Sequence, residues 1–134
     1  MISVLQAILF TATLIAASVI DVKKRIVPTY IHLILLAIGA LSLGWDSVFG
    51  FFCGFLCTFV PALIKADVGG GYIKICACIG FVLKALVLPA LLLGLFLAIV
   101  VVPIQKRICH DSDSSFALVP WISIGSIAMS IVLI

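Results

Sequence analysis

Asp21 and Asp67 are the carboxylates whose placement could do acid–base chemistry in this chain. Asp21 closes a long apolar stretch and is followed at once by Lys23, Lys24 and Arg25, while Asp67 stands just ahead of the run Gly69-Gly70-Gly71 and then Tyr72. Two carboxylates held close together can divide the work of hydrolysis. One, ionised, takes a proton from water, and the other, protonated, polarises the scissile carbonyl; repulsion between like charges pushes their pKa values apart to give that division. A tyrosine cannot fill the ionised role: with a reference pKa of about 10 it is neutral at pH 7 and offers only a hydrogen bond. Each residue also has a plainer reading. Asp21 can simply mark the end of its apolar stretch, paired with Lys24 or Arg25, and Asp67 can be a solvated loop carboxylate. The glycines break a helix, and their bare backbone also lets another chain approach closely.

Other polar residues carry less. A lone histidine such as His32, two residues after Tyr30, is more often an interfacial hydrogen-bonding side chain than a ligand. His110-Asp111-Ser112-Asp113 holds metal-ligand residue types without a ligand spacing and reads as a solvated loop. The five cysteines are an odd set, four of them inside apolar stretches, which suits small buried hydrophobes rather than a disulfide framework. Cys76-x-Cys78 on a helix points its thiols apart, so no metal site is expected there. No Ser/His/Asp set, phosphate-binding Gly-Lys-Ser/Thr loop or His-Glu-x-x-His helix occurs, and no cofactor is expected.

The elements that must position these groups follow from composition. With 134 residues, 66% hydrophobic and 10% charged, at a mean hydropathy of +1.50, the chain has more apolar surface than one water-soluble core of that size can bury. The solvent implied is lipid, and with a net charge of only +3 nucleic acid is not an expected partner. A spanning helix needs roughly 17–25 apolar residues. Ile2 to Ile20, Pro28 to Gly44, Ser47 to Ile64, Tyr72 to about Val87, Leu86 to Ile104 and about Ser115 to Ile134 are the candidates. Pro28 suits the first turn of the second, Trp45-Asp46 a tight wet turn, and Gly69 to Gly71 a non-helical break at the membrane edge. Basic residues follow the first stretch rather than precede it, so it reads as a mature helix and not a secretory signal. The expectation is an all-α, polytopic membrane protein, one domain over residues 1–134, a bundle of about six transmembrane helices with polar loops between them.

Charge orients the bundle. With the N-terminus outside, the inner face holds Lys23, Lys24, Arg25, Lys65, Lys74, Lys106 and Arg107, and the outer face only Lys84, seven against one under the positive-inside rule. Both termini are then extracytoplasmic. Asp21, Asp67, the glycines and the loop over residues 105–114 meet at the cytoplasmic surface.

Three segments together resemble the type IV prepilin leader peptidases. Asp21-Val22-Lys23-Lys24-Arg25-Ile26-Val27-Pro28 resembles their first signature, an Asp with basic residues and a Pro seven positions on. Gly69-Gly70-Gly71-Tyr72-Ile73-Lys74 is similar to Gly-x-Gly-Asp-x-Lys in all but the Asp, and Phe116 to Gly125 resembles the Pro-containing last helix. The chain lacks the N-terminal region with paired Cys-x-x-Cys of the larger members and looks like the short, peptidase-only form. The resemblance implies a membrane-embedded aspartic endopeptidase of a prokaryotic cell membrane. It would cut the basic leader from a prepilin-like protein after a Gly, at the cytoplasmic face. Asp21 would be one catalytic acid, Tyr72 would hold the position of the other, and Gly69, Gly70, Gly71, Lys74 and Pro28 would line the substrate path. Tyr72 leaves three readings open: a position altered to trap an inactive enzyme, a natural homologue that has lost activity, or a site in which Asp67 serves instead. A non-catalytic membrane protein that binds a pilin-like helix or assembly partner is the alternative. A transporter or channel ranks below it, because most of the spans carry no charge in their middles.

Overall fold

The computed structural model describes residues 3–24, 26–64, 70–109 and 119–134, and every element among them is helical. The elements are α1 (Val4–Lys24), α2 (Thr29–Ala40), α3 (Trp45–Ile64), α4 (Gly70–Leu83), a 3-10 turn (Lys84–Leu86), α5 (Val87–Cys109) and α6 (Val119–Leu133).

α1 forms because nothing interrupts its apolar run. The hydroxyls of Thr11, Thr13 and Ser18 fold back onto the carbonyls of Ala7, Leu9 and Leu14, which spares them an unmet bond in an apolar setting. Lys23 and Lys24 lie in its last turn, where cations meet the negative end of the helix dipole. At 21 residues it is about 31 Å long, enough to cross a bilayer core of about 30 Å. Two further stretches are long and apolar enough for that, α3 and the continuous run Gly70–Gln105; Thr29–Ala40 and Val119–Val132 are apolar but shorter.

Several boundaries differ from the sequence reading. Pro28 stands one residue before α2 in an extended conformation (φ −69°, ψ 147°), and α2 stops at Ala40 rather than Gly44. Trp45 and Asp46 are not the turn but the first turn of α3, where the Asp46 carboxylate faces the positive helix end. Gly70 and Gly71 are helical, contrary to the expected break: they open α4, where a glycine's cost of about 1 kcal/mol is offset by the packing of that helix. Gln105 to Cys109 extend α5 instead of opening a loop. Asp67, Gly69 and the His110 to Asp113 stretch lie outside the described residues.

α4 is the centre of the bundle. Ile75 to Gly80, Val82 and Leu83 are all buried, the pattern of a helix covered on every side. Phe10, Leu14 and Ala17 of α1 and Ile31 and Leu35 of α2 join Ile75, Ile79 and Val82 in one core. The outward faces are apolar too: Leu5, Ile8, Phe49, Phe52, Leu92 and Phe96 are exposed, as side chains solvated by lipid would be.

Glycines set two close helix crossings. Gly50 and Gly54, spaced Gly-x-x-x-Gly on α3, lie against α4, and a Cβ on Gly50 would run into the Gly80 carbonyl and one on Gly54 into that of Cys76. On α5 and α6 the same service comes from Gly94 and Gly125.

The helices alternate in direction. Gln6 near the start of α1 bonds the Ile38 carbonyl and the Ser42 hydroxyl at the end of α2, and Val4 and Ile134 line one groove. Both described ends of the chain therefore sit together, opposite the end that holds Asp21.

Candidate active site

Asp21 is carried by the last turn of α1, yet it points inward and is 0% exposed. Burying a carboxylate is costly unless hydrogen bonds replace water. Two do. The Tyr72 hydroxyl donates to Oδ1 at 3.1 Å and lies 3.5 Å from Oδ2, and the Val119 backbone N–H donates to Oδ2 at 3.4 Å. Val119, the first described residue of α6, brings its backbone amide to the carboxylate from a third helix. Both partners are neutral groups: among the described residues Asp21 is not paired with Lys24, and Arg25, the other cation the sequence offered, lies outside them.

Three helix ends thus converge on one carboxylate. Tyr72 reaches it because Gly70 and Gly71 start α4 beside the end of α1, and the Gly50 and Gly54 crossing holds α4 against α3 at that height. About one turn deeper along α1 and α6, the Ser18 hydroxyl bonds that of Ser123 at 2.9 Å and ties the two helices together beneath the site.

His32 is the residue that sequence reasoning undervalued. It is buried rather than interfacial, with 8% exposure, and its Nε2 lies 3.4 Å from the Gly71 carbonyl, so that the first turn of α4 is held from α2. Its place four residues after Pro28, on the inward face of α2 with Ile31 and Leu35, was the available signal.

Two cavities flank the pair, and Tyr72 lines both. One of about 310 Å³ lies between α3, α4, α5 and α6 and is walled by Cys57, Pro61, Cys76, Leu91 and Leu95. The other, about 320 Å³, lies between α2 and α4 and is more polar, with Thr29, His32, Gly71 and Lys74 in its walls. Of the residues expected at the site, Asp21 and Tyr72 are in contact, Gly71 and Lys74 line the polar cavity, and Pro28 precedes Thr29 at its edge. Gly70 is exposed beside them at the start of α4.

The chemistry open to this arrangement is limited by its second member. A phenol donating to a carboxylate supplies a hydrogen bond and not a second carboxylate.

No curated protein sequence matches the chain, and no solved structure does. The sequence pattern of the type IV leader peptidase family matches residues 8–104, which takes in Asp21, the glycines, Tyr72 and Lys74. That match covers well over half of the 134 residues and joins an all-helical, apolar bundle to a buried aspartate: the chain belongs to the type IV leader peptidase family.

Proposed function

We propose that this protein is a membrane-embedded member of the aspartic leader peptidases in which Asp21 is the one remaining catalytic acid, and that as written it cleaves prepilin-like proteins poorly or not at all. The observation that carries the proposal is the 3.1 Å hydrogen bond from Tyr72 to Asp21. It supports the reading of Tyr72 as a phenol standing where the mechanism would need a second carboxylate. The substrate would be an apolar helix preceded by a Gly and a basic leader. Gly70, Gly71, Lys74 and Pro28 would border the leader, and the apolar cavity beside Leu91 and Leu95 would receive the helix.

The same reading assigns the topology. All six helices cross or enter the bilayer, with Asp21 on the cytoplasmic side and both termini outside, a reading supported by the seven-to-one Lys/Arg asymmetry and the alternating helix directions.

Incubation of the purified protein in detergent with such a substrate tests the proposal. The expected outcome is no cleavage by the chain as written, cleavage by Tyr72→Asp, and its loss again when Asp21→Asn is added. Cleavage with Tyr72 in place that fails on Asp67→Asn would instead assign the second acid to Asp67. No cleavage even by Tyr72→Asp would favour the non-catalytic reading, a binder of pilin-like helices, which the lipid-facing apolar cavity also suits.

A further inference from the structure

α2 is short for a helix that lies in a bilayer. Its 12 residues, Thr29–Ala40, measure about 18 Å, against about 30 Å of hydrocarbon core. Non-helical backbone flanks it on both sides, at residues 26–28 and 41–44, and Ile26, Leu41, Leu43 and Gly44 are exposed there. Exposed backbone of that kind does not face hydrocarbon, where its N–H and C=O groups would lack water. Nor is α2 hidden within the protein, since Tyr30, Leu33 and Ile34 are all exposed.

Three pairs of residues set a similar spacing. Tyr30 stands in the first turn of α2 and Trp45, 82% exposed, just beyond its other end; such aromatic side chains settle at membrane–water interfaces. Lys74, exposed on α4, and Lys84, half-buried in the turn after it, are ten residues apart, about 15 Å along a helix. On α1 the polar levels are Gln6, bonded to Ser42, and Asp21, 15 residues apart, about 22 Å. Snorkelling would carry the lysine ammonium groups outward, but the loops of α2 and the buried Gln6 cannot follow. The other side of the bundle is longer: α5 runs from Val87 to Ile104 without a polar residue, about 27 Å, before Gln105, Lys106 and Arg107.

We propose that this protein thins the bilayer beside α2 and α4, so that the partner of that face is a lipid layer roughly 10 Å thinner than an ordinary core and best matched by short acyl chains. A hydrophobic stretch shorter than the surrounding hydrocarbon is accommodated by thinning, at a modest cost for each ångström of mismatch. Lipid is the occupant because every exposed side chain from Leu33 to Ala40 is apolar, while the markers on α1, α2 and α4 all fall short of the same thickness. A thinned bilayer brings the headgroup region to the cavity walled by Thr29, His32 and Lys74, beside Tyr72. The inference rests on the membrane-crossing topology proposed above and not on cleavage.

Reconstitution of the full chain in phosphatidylcholine vesicles with myristoleoyl, oleoyl or erucoyl chains tests it, since the headgroup is constant while thickness grows. The Tm should be highest with the shortest chains and fall by several degrees toward the longest. Depth is read by quenching from bromines placed along the acyl chains, with Trp45 as the single indole after Trp121→Phe, and with Tyr30→Trp in a Trp45→Phe, Trp121→Phe background. Both indoles should stay at headgroup depth in all three bilayers. An indole that sinks into the hydrocarbon of the oleoyl bilayer, or a Tm that is level or rises with chain length, would overturn the thinning. Leu33→Trp in the same background should be quenched by mid-chain bromines. Failure of that quenching alone would mean that protein covers α2, a second copy included, and would overturn lipid as the occupant. No quenching at any of the three positions would overturn the membrane-crossing topology, and this inference with it.

Discussion

The Tyr72 hydroxyl and the Asp21 carboxylate, 51 residues apart in sequence, are joined by a hydrogen bond of 3.1 Å inside the bundle. The bond fixes the end of α1 against the start of α4. It also makes the two residues separable by mutation, since the phenol can lose its hydroxyl and the carboxylate its ionisable group independently.

Tyr72→Phe keeps the ring and removes the donor, leaving Asp21 with the Val119 amide. An unmet buried acceptor costs about 1–3 kcal/mol, so thermal unfolding in detergent should show a clear fall in Tm. Asp21→Asn keeps an acceptor for Tyr72 and should leave Tm unchanged or raised. A larger loss in Asp21→Asn than in Tyr72→Phe would contradict the hydrogen bond as the main partner of Asp21.

Tyr72→Asp should bring cleavage of a prepilin-like substrate at a rate at least about 100-fold above the parent chain, the lower end of what a positioned acid or base contributes. Its pH–rate profile should be bell-shaped, with both limbs belonging to the carboxylate pair rather than to either residue. A profile flat across the acid range would argue that the new carboxylate takes no part.

Two glycines should behave in opposite ways. Gly50→Ala pushes a methyl into the Gly80 carbonyl and the backbone of Lys84, which cannot swing aside, and overpacking of this kind costs about 1–3 kcal/mol. Gly70→Ala meets open space in the first turn of a helix and should be neutral or stabilising by up to about 1 kcal/mol. Comparable losses at both positions in a chemical unfolding series would mean that Gly70 is needed for something other than backbone freedom.

Lys84 is the sole non-glycine residue with positive φ among those described, at 56°, in the 3-10 turn that joins α4 to α5. A left-handed residue with a Cβ carries a penalty of about 1–2 kcal/mol. Lys84→Gly should recover part of it as a higher Tm, and Lys84→Val should lower Tm.

Much of this arrangement was legible beforehand, and for identifiable reasons. Asp21 and Tyr72 were readable because each sits in a short motif at the end of an apolar run, and the runs themselves fix which helix ends are neighbours. The helical start of α4 was not: three successive glycines weaken a helix locally, and only the packing around Ile75 and Ile79, with His32 bonding the Gly71 carbonyl, outweighs that. The partner of His32 and the role of the Val119 amide were not legible because they come from elements distant in sequence, α2 onto α4 and α6 onto α1. The extent of α2 was overestimated because apolar composition continues to Leu43 after the helical hydrogen bonds have ended at Ala40.

The ring of Tyr72 is wall to both the polar and the apolar cavity. It therefore separates a cavity with polar walls from one with mostly apolar walls. Hydrolysis inside a bilayer requires water to arrive at the scissile bond while the apolar part of the substrate stays dry, and on the function proposed above both would meet where this ring stands. An aspartate at position 72 would thin this wall and draw water inward along with its charge. On the proposed function, keeping the two cavities apart and supplying water to a peptide bond are opposing demands at this one position, and tyrosine suits the first.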